Sequence, residues 1–219
     1  MSVLHAVEEG QRLVLDDVPW RTYTRLLRLF DERRLRLTYD RGTLEIMTLT
    51  HEHEGYSYIL GRFVDALTEE LGLPIKGGHS TTFRRRKRQR GLEPDNCSWI
   101  ASEPRVRGKT KIDLQVDPPP DLAIEIDITS SSLDRMGIYA DLGVPEVWRF
   151  ADQALTFHVL GDARRYALAP RSAAFPSVMP EDVLRFLALR TTHDENAVVR
   201  ELRDWVRARI ATDPRNPAS

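Results

Sequence analysis

Cysteine is nearly absent from this chain: there is one, Cys97, among 219 residues. A single thiol excludes an internal disulfide framework and a multi-cysteine zinc knuckle, and it points to a reducing, cytoplasmic compartment. Long apolar runs are absent as well. None approaches the roughly 18 residues that a membrane helix needs, so no membrane partner is expected. The first residues lack a basic flank followed by an apolar stretch, and no secretory signal is expected. Lysine is scarce, with only positions 76, 87, 109 and 111 among 32 basic residues; the rest are arginine. The net charge of −1 argues against a generic polyanion-binding surface.

Against these absences, 41% hydrophobic and 30% charged residues give the balance of a soluble globular protein. The length suits a single domain with one buried core. The charge that matters is local. Arg84, Arg85, Arg86, Lys87, Arg88 and Arg90 crowd into a short stretch. Such a block can contact DNA phosphates or form a solvated hairpin tip.

Periodicity supplies the element order. Leu26, Leu27 and Phe30 predict a helix over 22–33. Residues 35–39 and 43–47 read as strands joined by the Asp40-Arg41-Gly42 turn. Tyr56, Ile59, Leu60, Phe63, Val64, Leu67 and Leu71 form one stripe and predict a helix over 51–72, stopped by Gly72 and Pro74. Strand-like segments follow near 75–86 and 94–100. The Pro-rich stretch 102–120 reads as a loop or a mobile hairpin. A strand over 121–128 precedes a helix over 132–142, capped by the serines before it and ended by Gly143. Strands over 146–150 and 155–160 and near Tyr166 come next, then helices over 180–190 and 194–210. The last carries Val198, Leu202, Trp205, Val206 and Ile210, and residues 213–219 read as a frayed tail. The order predicts an α/β protein: a mixed β-sheet flanked by helices.

Two carboxylates stand out. Asp95 follows Glu93-Pro94, where proline sets the chain before a strand. Glu125 lies mid-strand, where Leu122, Ile124, Ile126 and Ile128 alternate with Asp121, Ala123, Glu125 and Asp127. An ionised carboxylate in such a strand is costly unless paired, hydrogen-bonded or bound to a metal. Asp127 shares the face of Glu125, about 7 Å along the strand. A divalent cation would relieve their repulsion, and oxygen ligands without a His or Cys cluster favour Mg²⁺ or Mn²⁺. Equally, alternation by itself is met by a strand whose acidic face is simply wet.

Glu93-Pro94-Asp95, Pro120 to Ile126, Ser130 to Ser132, Tyr139 and Gly143 to Trp148 together resemble the Uma-two family. These are restriction-endonuclease-like proteins of the PD-(D/E)XK nuclease superfamily. Leu44 to Met47 and the following His53 are similar to the family's hairpin and helix-start histidine. The resemblance covers about residues 20–190 and implies a restriction-endonuclease-like mixed β-sheet flanked by helices. It matches Asp95 to the Asp of the first element and Glu125 to the acid of the second. The superfamily's Lys would stand two residues later, where this chain has Asp127. The family commonly places a Lys four residues before the Tyr that matches Tyr139, and here that position is Arg135. Arg stays protonated, so it stabilises charge but cannot act as a base.

The implied activity is metal-dependent hydrolysis of DNA phosphodiester bonds, by a homodimer where both strands are cut. Asp95 and Glu125 would hold Mg²⁺ or Mn²⁺, and Arg135 would stabilise the transition state. Asp127 or Glu54 would position the water or a second cation. The alternative is a catalytically inactive nuclease-fold module that binds nucleic acid or a protein partner. His53 could reach the metal site, or cap or pack the helix. Trp148 and Cys97 read as core, and the Trp205 helix as core or interface.

Overall fold

The structure, a computed structural model, describes residues 10–30, 35–78, 81–127 and 133–210. The end of the predicted 22–33 helix, Ile128, the Ser130–Ser132 cap and the 213–219 tail lie outside the described residues, as does the side chain of Ile210.

The longest apolar stripe becomes α2 (His51–Glu70), which buries Ile59, Leu60, Phe63, Val64 and Leu67 completely. Thr50 caps it, its hydroxyl accepting from the His53 N–H at 3.1 Å. Before it come β1 (Arg12–Leu15), a strand not expected from the sequence, and α1 (Trp20–Leu29). α1 starts two residues earlier than predicted because Pro19 sits at its N-cap. The hairpin is β2 (Leu35–Asp40) and β3 (Thr43–Thr48), paired so that Asp40 faces Thr43.

The predicted single sheet is in fact two. The 75–86 and 94–100 segments break into β4 (Lys76–Gly77), β5 (Phe83–Arg85), β6 (Arg90–Leu92) and β7 (Asn96–Trp99). β5 and β6 complete a five-stranded antiparallel sheet of order β1-β3-β2-β6-β5. β4 and β7 join a six-stranded sheet with β8 (Leu122–Asp127), β9 (Glu146–Ala151), β10 (Ala154–Leu160) and β11 (Tyr166–Ala169), in the order β11-β10-β9-β8-β7-β4. The physical reason is Pro94, which has no N–H to continue a ladder and turns the chain from one sheet to the other. The 102–120 stretch contains a short helix, α3 (Glu103–Val106), and no hairpin.

β8 and β9 are parallel and are linked by α4 (Arg135–Leu142). Asp134 caps α4, accepting from Gly137 N at 2.9 Å, and Gly143 ends it with φ 82°. β8 is buried on both faces. Leu122, Ile124 and Ile126 pack with Trp148 and Phe150 under α2, α5 (Pro180–Ala188) and α6 (Glu195–Ile210). Ala123 packs with Val147 under α4, so Glu125 also faces α4. Trp148, Val198, Leu202 and Val206 are core, and Trp205 packs its ring edge on Phe186 at 5.6 Å. Glu146 is buried but satisfied, accepting from Trp148 Nε1, Ser172 Oγ and Ala174 N at 2.8, 3.2 and 2.8 Å. No helix among the described residues is long and apolar enough to cross a membrane.

A third cluster sits under the smaller sheet, where Tyr23 stacks on Tyr39 at 4.7 Å. Gly91 of β6 is required by that stack. A methyl group there would collide with the Tyr23 hydroxyl and lie 3.1 Å from two of its ring carbons. Tyr23 is fully buried and cannot give way. Gly91→Ala is therefore expected to cost about 1–3 kcal/mol, read as a lower urea midpoint with unchanged slope.

Candidate active site

Strand ends from both sheets and the first turns of two helices converge on a buried charge network. β2 alternates Leu37 and Tyr39 toward one core with Arg36 and Thr38 toward the other side, and all four are buried. Asp95 sits just before β7 and is tied to β8 twice. Its N–H donates to Ile124 O at 3.2 Å, and its Oδ2 accepts from Ile126 N at 2.7 Å. Oδ1 faces His53 Nε2 at 3.3 Å and Arg36 Nε at 3.5 Å. α2 brings His53 in on its first turn.

Glu125 is held from α4. Arg135 and Tyr139 are one helical turn apart and so share a face. Arg135 forks Glu125, with Nη2 at 2.9 Å from Oε2 and Nε against Oε1. The Tyr139 hydroxyl donates to Oε2 at 2.6 Å. The same guanidinium donates to Thr38 Oγ1 and, at 3.0 Å, to the Glu93 carbonyl. Glu93 in turn accepts from the Thr82 hydroxyl and lies 3.7 Å from Arg36. Three carboxylates (Glu93, Asp95, Glu125) thus face two guanidiniums and one imidazole.

The electrostatics follow from burial and pairing. Burial opposes ionisation of Asp95, but His53 and then Arg36 outweigh it and hold its carboxyl below the usual range. Burial dominates at Glu125 and pushes its pKa up in spite of Arg135, with the charge of Asp95 adding to the rise. Burial likewise raises Glu93 and Tyr139. At His53 burial acts downward, yet the Asp95 carboxylate, 3.3 Å from Nε2, carries the imidazole above its ordinary value.

That last shift has a measurable sign. A raised histidine contributes stability that is complete below about pH 6.5 and is lost as pH rises through its folded value. Wild-type urea midpoints are expected to decline as pH rises above about 6.5 and through the raised value of His53. His53→Gln is expected to flatten that decline.

The sequence-predicted residues divide. Asp95, Glu125, Arg135 and His53 come together. Glu54 stands at the rim, half exposed, 3.9 Å from Arg36 and 3.8 Å from His53. Asp127 is drawn elsewhere, to Arg149 of β9 at 2.6 Å. Of the basic block, Arg84, Arg86, Lys87 and Arg88 are exposed on β5 and the turn after it. Arg85 is half-buried and donates to Asp141 O at 3.2 Å. Arg90 is buried between Asp40 and Asp141, with contacts of 2.8 Å to each. Its place in β6 points it inward. Arg36, Thr38 and Glu93 carry roles that the sequence reading missed. Arg36 and Thr38 had a signal in the same two-residue period that flagged Glu125.

A cleft of about 250 Å³ opens on Asp95, lined by Arg36, Glu54, Ser57, Arg62 and Asn96 among others. The donor set suits a hard cation. Asp95 Oδ1 makes no short hydrogen bond, and Mg²⁺ takes one or two carboxylates while keeping several waters. At Glu125 a cation would compete with Arg135. Among the described residues, no three His, Cys, Asp or Glu side chains are gathered as a metal cage.

This is a mixed α/β protein with an acidic pair, compensated by buried cations, where its two sheets meet. A family model, Uma2, described as "Putative restriction endonuclease", matches residues 20–192. The chain belongs to that family, and membership gives the fold its restriction-endonuclease-like class. A solved structure titled as a "putative nuclease belonging to DUF820" from Anabaena variabilis ATCC 29413 is similar at 14% identity and a TM-score of 0.45. The match covers 78% of this chain and 90% of that one. No curated protein matches the chain.

Proposed function

We propose that this chain hydrolyses DNA phosphodiester bonds as a divalent-cation-dependent endonuclease. The observation that carries the reading is the meeting of Asp95, just before β7, with Glu125 of the neighbouring β8, both buried, with a guanidinium between α4 and β8. Asp95 and Glu125 would hold Mg²⁺ or Mn²⁺, which when bound polarises a phosphate and lowers the pKa of a water. Arg135 stays protonated and stabilises the negative charge that develops on the phosphoryl oxygens. Glu54, at the mouth of the cleft, orients the water. His53 fixes Asp95 Oδ1. Asp127, paired with Arg149, acts on the site only through strand β8. Arg84, Arg86, Lys87 and Arg88 contact DNA phosphates, while Arg85 and Arg90 support the hairpin that carries them. On this reading the protein works in the cytoplasm, and a double-strand cut takes two copies of the chain.

One observation favours a second reading, a nuclease-fold module that binds nucleic acid or a protein without cutting. Arg135 already engages both oxygens of Glu125. Incubation of supercoiled plasmid and of single-stranded DNA with Mg²⁺ or Mn²⁺ separates the two. Metal-dependent nicking supports the enzyme; its absence under both metals supports the module.

A further inference from the structure

A groove of about 690 Å³ lies between α1, β5 and the 111–115 segment, apart from the carboxylate cleft. Its rim is cationic. Arg28 comes from the last turn of α1, Arg84 and Arg86 from the basic block, and Lys111 from the Pro-rich stretch. All four are exposed, and none has an ion-pair partner among the described residues. One acid, Asp113, shares the rim. The floor is different in kind. Leu27, Phe83, Ile112 and Leu114 line it, with the half-buried ring of Trp20 at one side. Trp20 is braced edge-on by Tyr23 and Tyr39, with ring centres at 5.3 and 5.4 Å. Thr82 lines the same groove, and its hydroxyl donates to Glu93, whose other oxygen faces Arg36 of the charge network.

We infer that this groove binds an unpaired nucleic-acid strand and leads it toward Asp95. Cations from three separate segments match a run of phosphates, and the apolar floor with Trp20 matches the face of a base. A closed duplex offers phosphates to the rim, but its bases are stacked inside and cannot reach the floor. The inference rests on the nuclease reading for the direction of the strand, not for its binding.

The full chain is titrated in EDTA against a fluorescein-labelled single-stranded oligonucleotide and against the same sequence as a duplex, with anisotropy as the readout. The single strand is expected to bind more tightly. In Arg28→Ala/Lys111→Ala its affinity is expected to fall roughly tenfold, and the slope of log affinity against log salt to shrink by about 1.4, two phosphates at about 0.7 each. Trp20→Phe, which keeps an aromatic floor, is expected to remove the tryptophan fluorescence quenching that accompanies binding. Lys87→Ala/Arg88→Ala lies outside the groove and is expected to change single-strand affinity less. Wild-type affinity in the Arg28/Lys111 variant would overturn the inference, as would equal losses for duplex and single strand. If plasmid nicking is absent but these losses appear, the groove stands and the hydrolytic reading falls. If nicking is present and the double variant binds like wild type, the groove alone falls.

Discussion

Asp95→Asn is expected to lower metal-dependent nicking of supercoiled plasmid about a thousandfold or more, the scale of losing a central electrostatic group. The amide is close in shape to the carboxylate, and its oxygen can still accept from Ile126 N, where Asp95 Oδ2 accepts at 2.7 Å. What it loses is the charge that would bind a cation and that His53 and Arg36 face. The fold should hold better in Asp95→Asn than in Asp95→Ala, which also removes the side-chain tie to Ile126 of β8. Circular dichroism of both variants checks this. Equal activity in wild type and Asp95→Asn would place the chemistry elsewhere.

The second large effect is on stability. Arg135→Ala leaves Glu125 buried with Tyr139 as its remaining close partner, and breaking a buried pair from one side typically costs about 3–5 kcal/mol. Burial already raises the pKa of Glu125 while Arg135 is present. Without the guanidinium its pKa rises further, so the variant should be most stable at low pH. Its stability should then fall as pH climbs through the new value. Urea denaturation at several pH values reads both the loss and its sign. Arg135→Lys restores the residue type that resembles the family pattern and keeps the charge. A single ammonium cannot fork Glu125 while also reaching Thr38 and the Glu93 carbonyl. Arg135→Lys should therefore free part of Glu125 and bind Mn²⁺ more tightly than wild type in a paramagnetic-resonance titration. Equal affinity in both proteins would mean that Arg135 does not compete with a cation.

Much of the helical scaffold was legible in the residues because its apolar period closes within one segment. α2 and α6 show this: Ile59, Phe63, Leu67, Val198, Leu202 and Val206 are all buried. The hairpin of β2 and β3 followed from a local turn. The division into two sheets was not legible, since β5 and β6 are three residues each and their pairing is set by tertiary contact rather than pattern. Asp134 took the capping role expected of the serines before it. Arg90 looked like its neighbours in the basic block, and only its position in β6 turns it into a buried partner of Asp40 and Asp141.

The sequence by itself determined the order of the main helices and of the strands from β8 onward, the Glu93-Pro94-Asp95 and Glu125 positions and the family to which the chain belongs. These are properties of short segments and their spacing. The tertiary structure decided what each charge faces. Arg135 meets Thr38, 97 residues away in sequence, and Asp95 meets the N–H of Ile126, 31 residues away. Such partners are fixed by strand register and helix placement, and so is the difference between Glu125, locked under α4, and Asp127, two residues on and turned to Arg149. A buried charge must find a partner, and the local sequence cannot say which one the fold will bring.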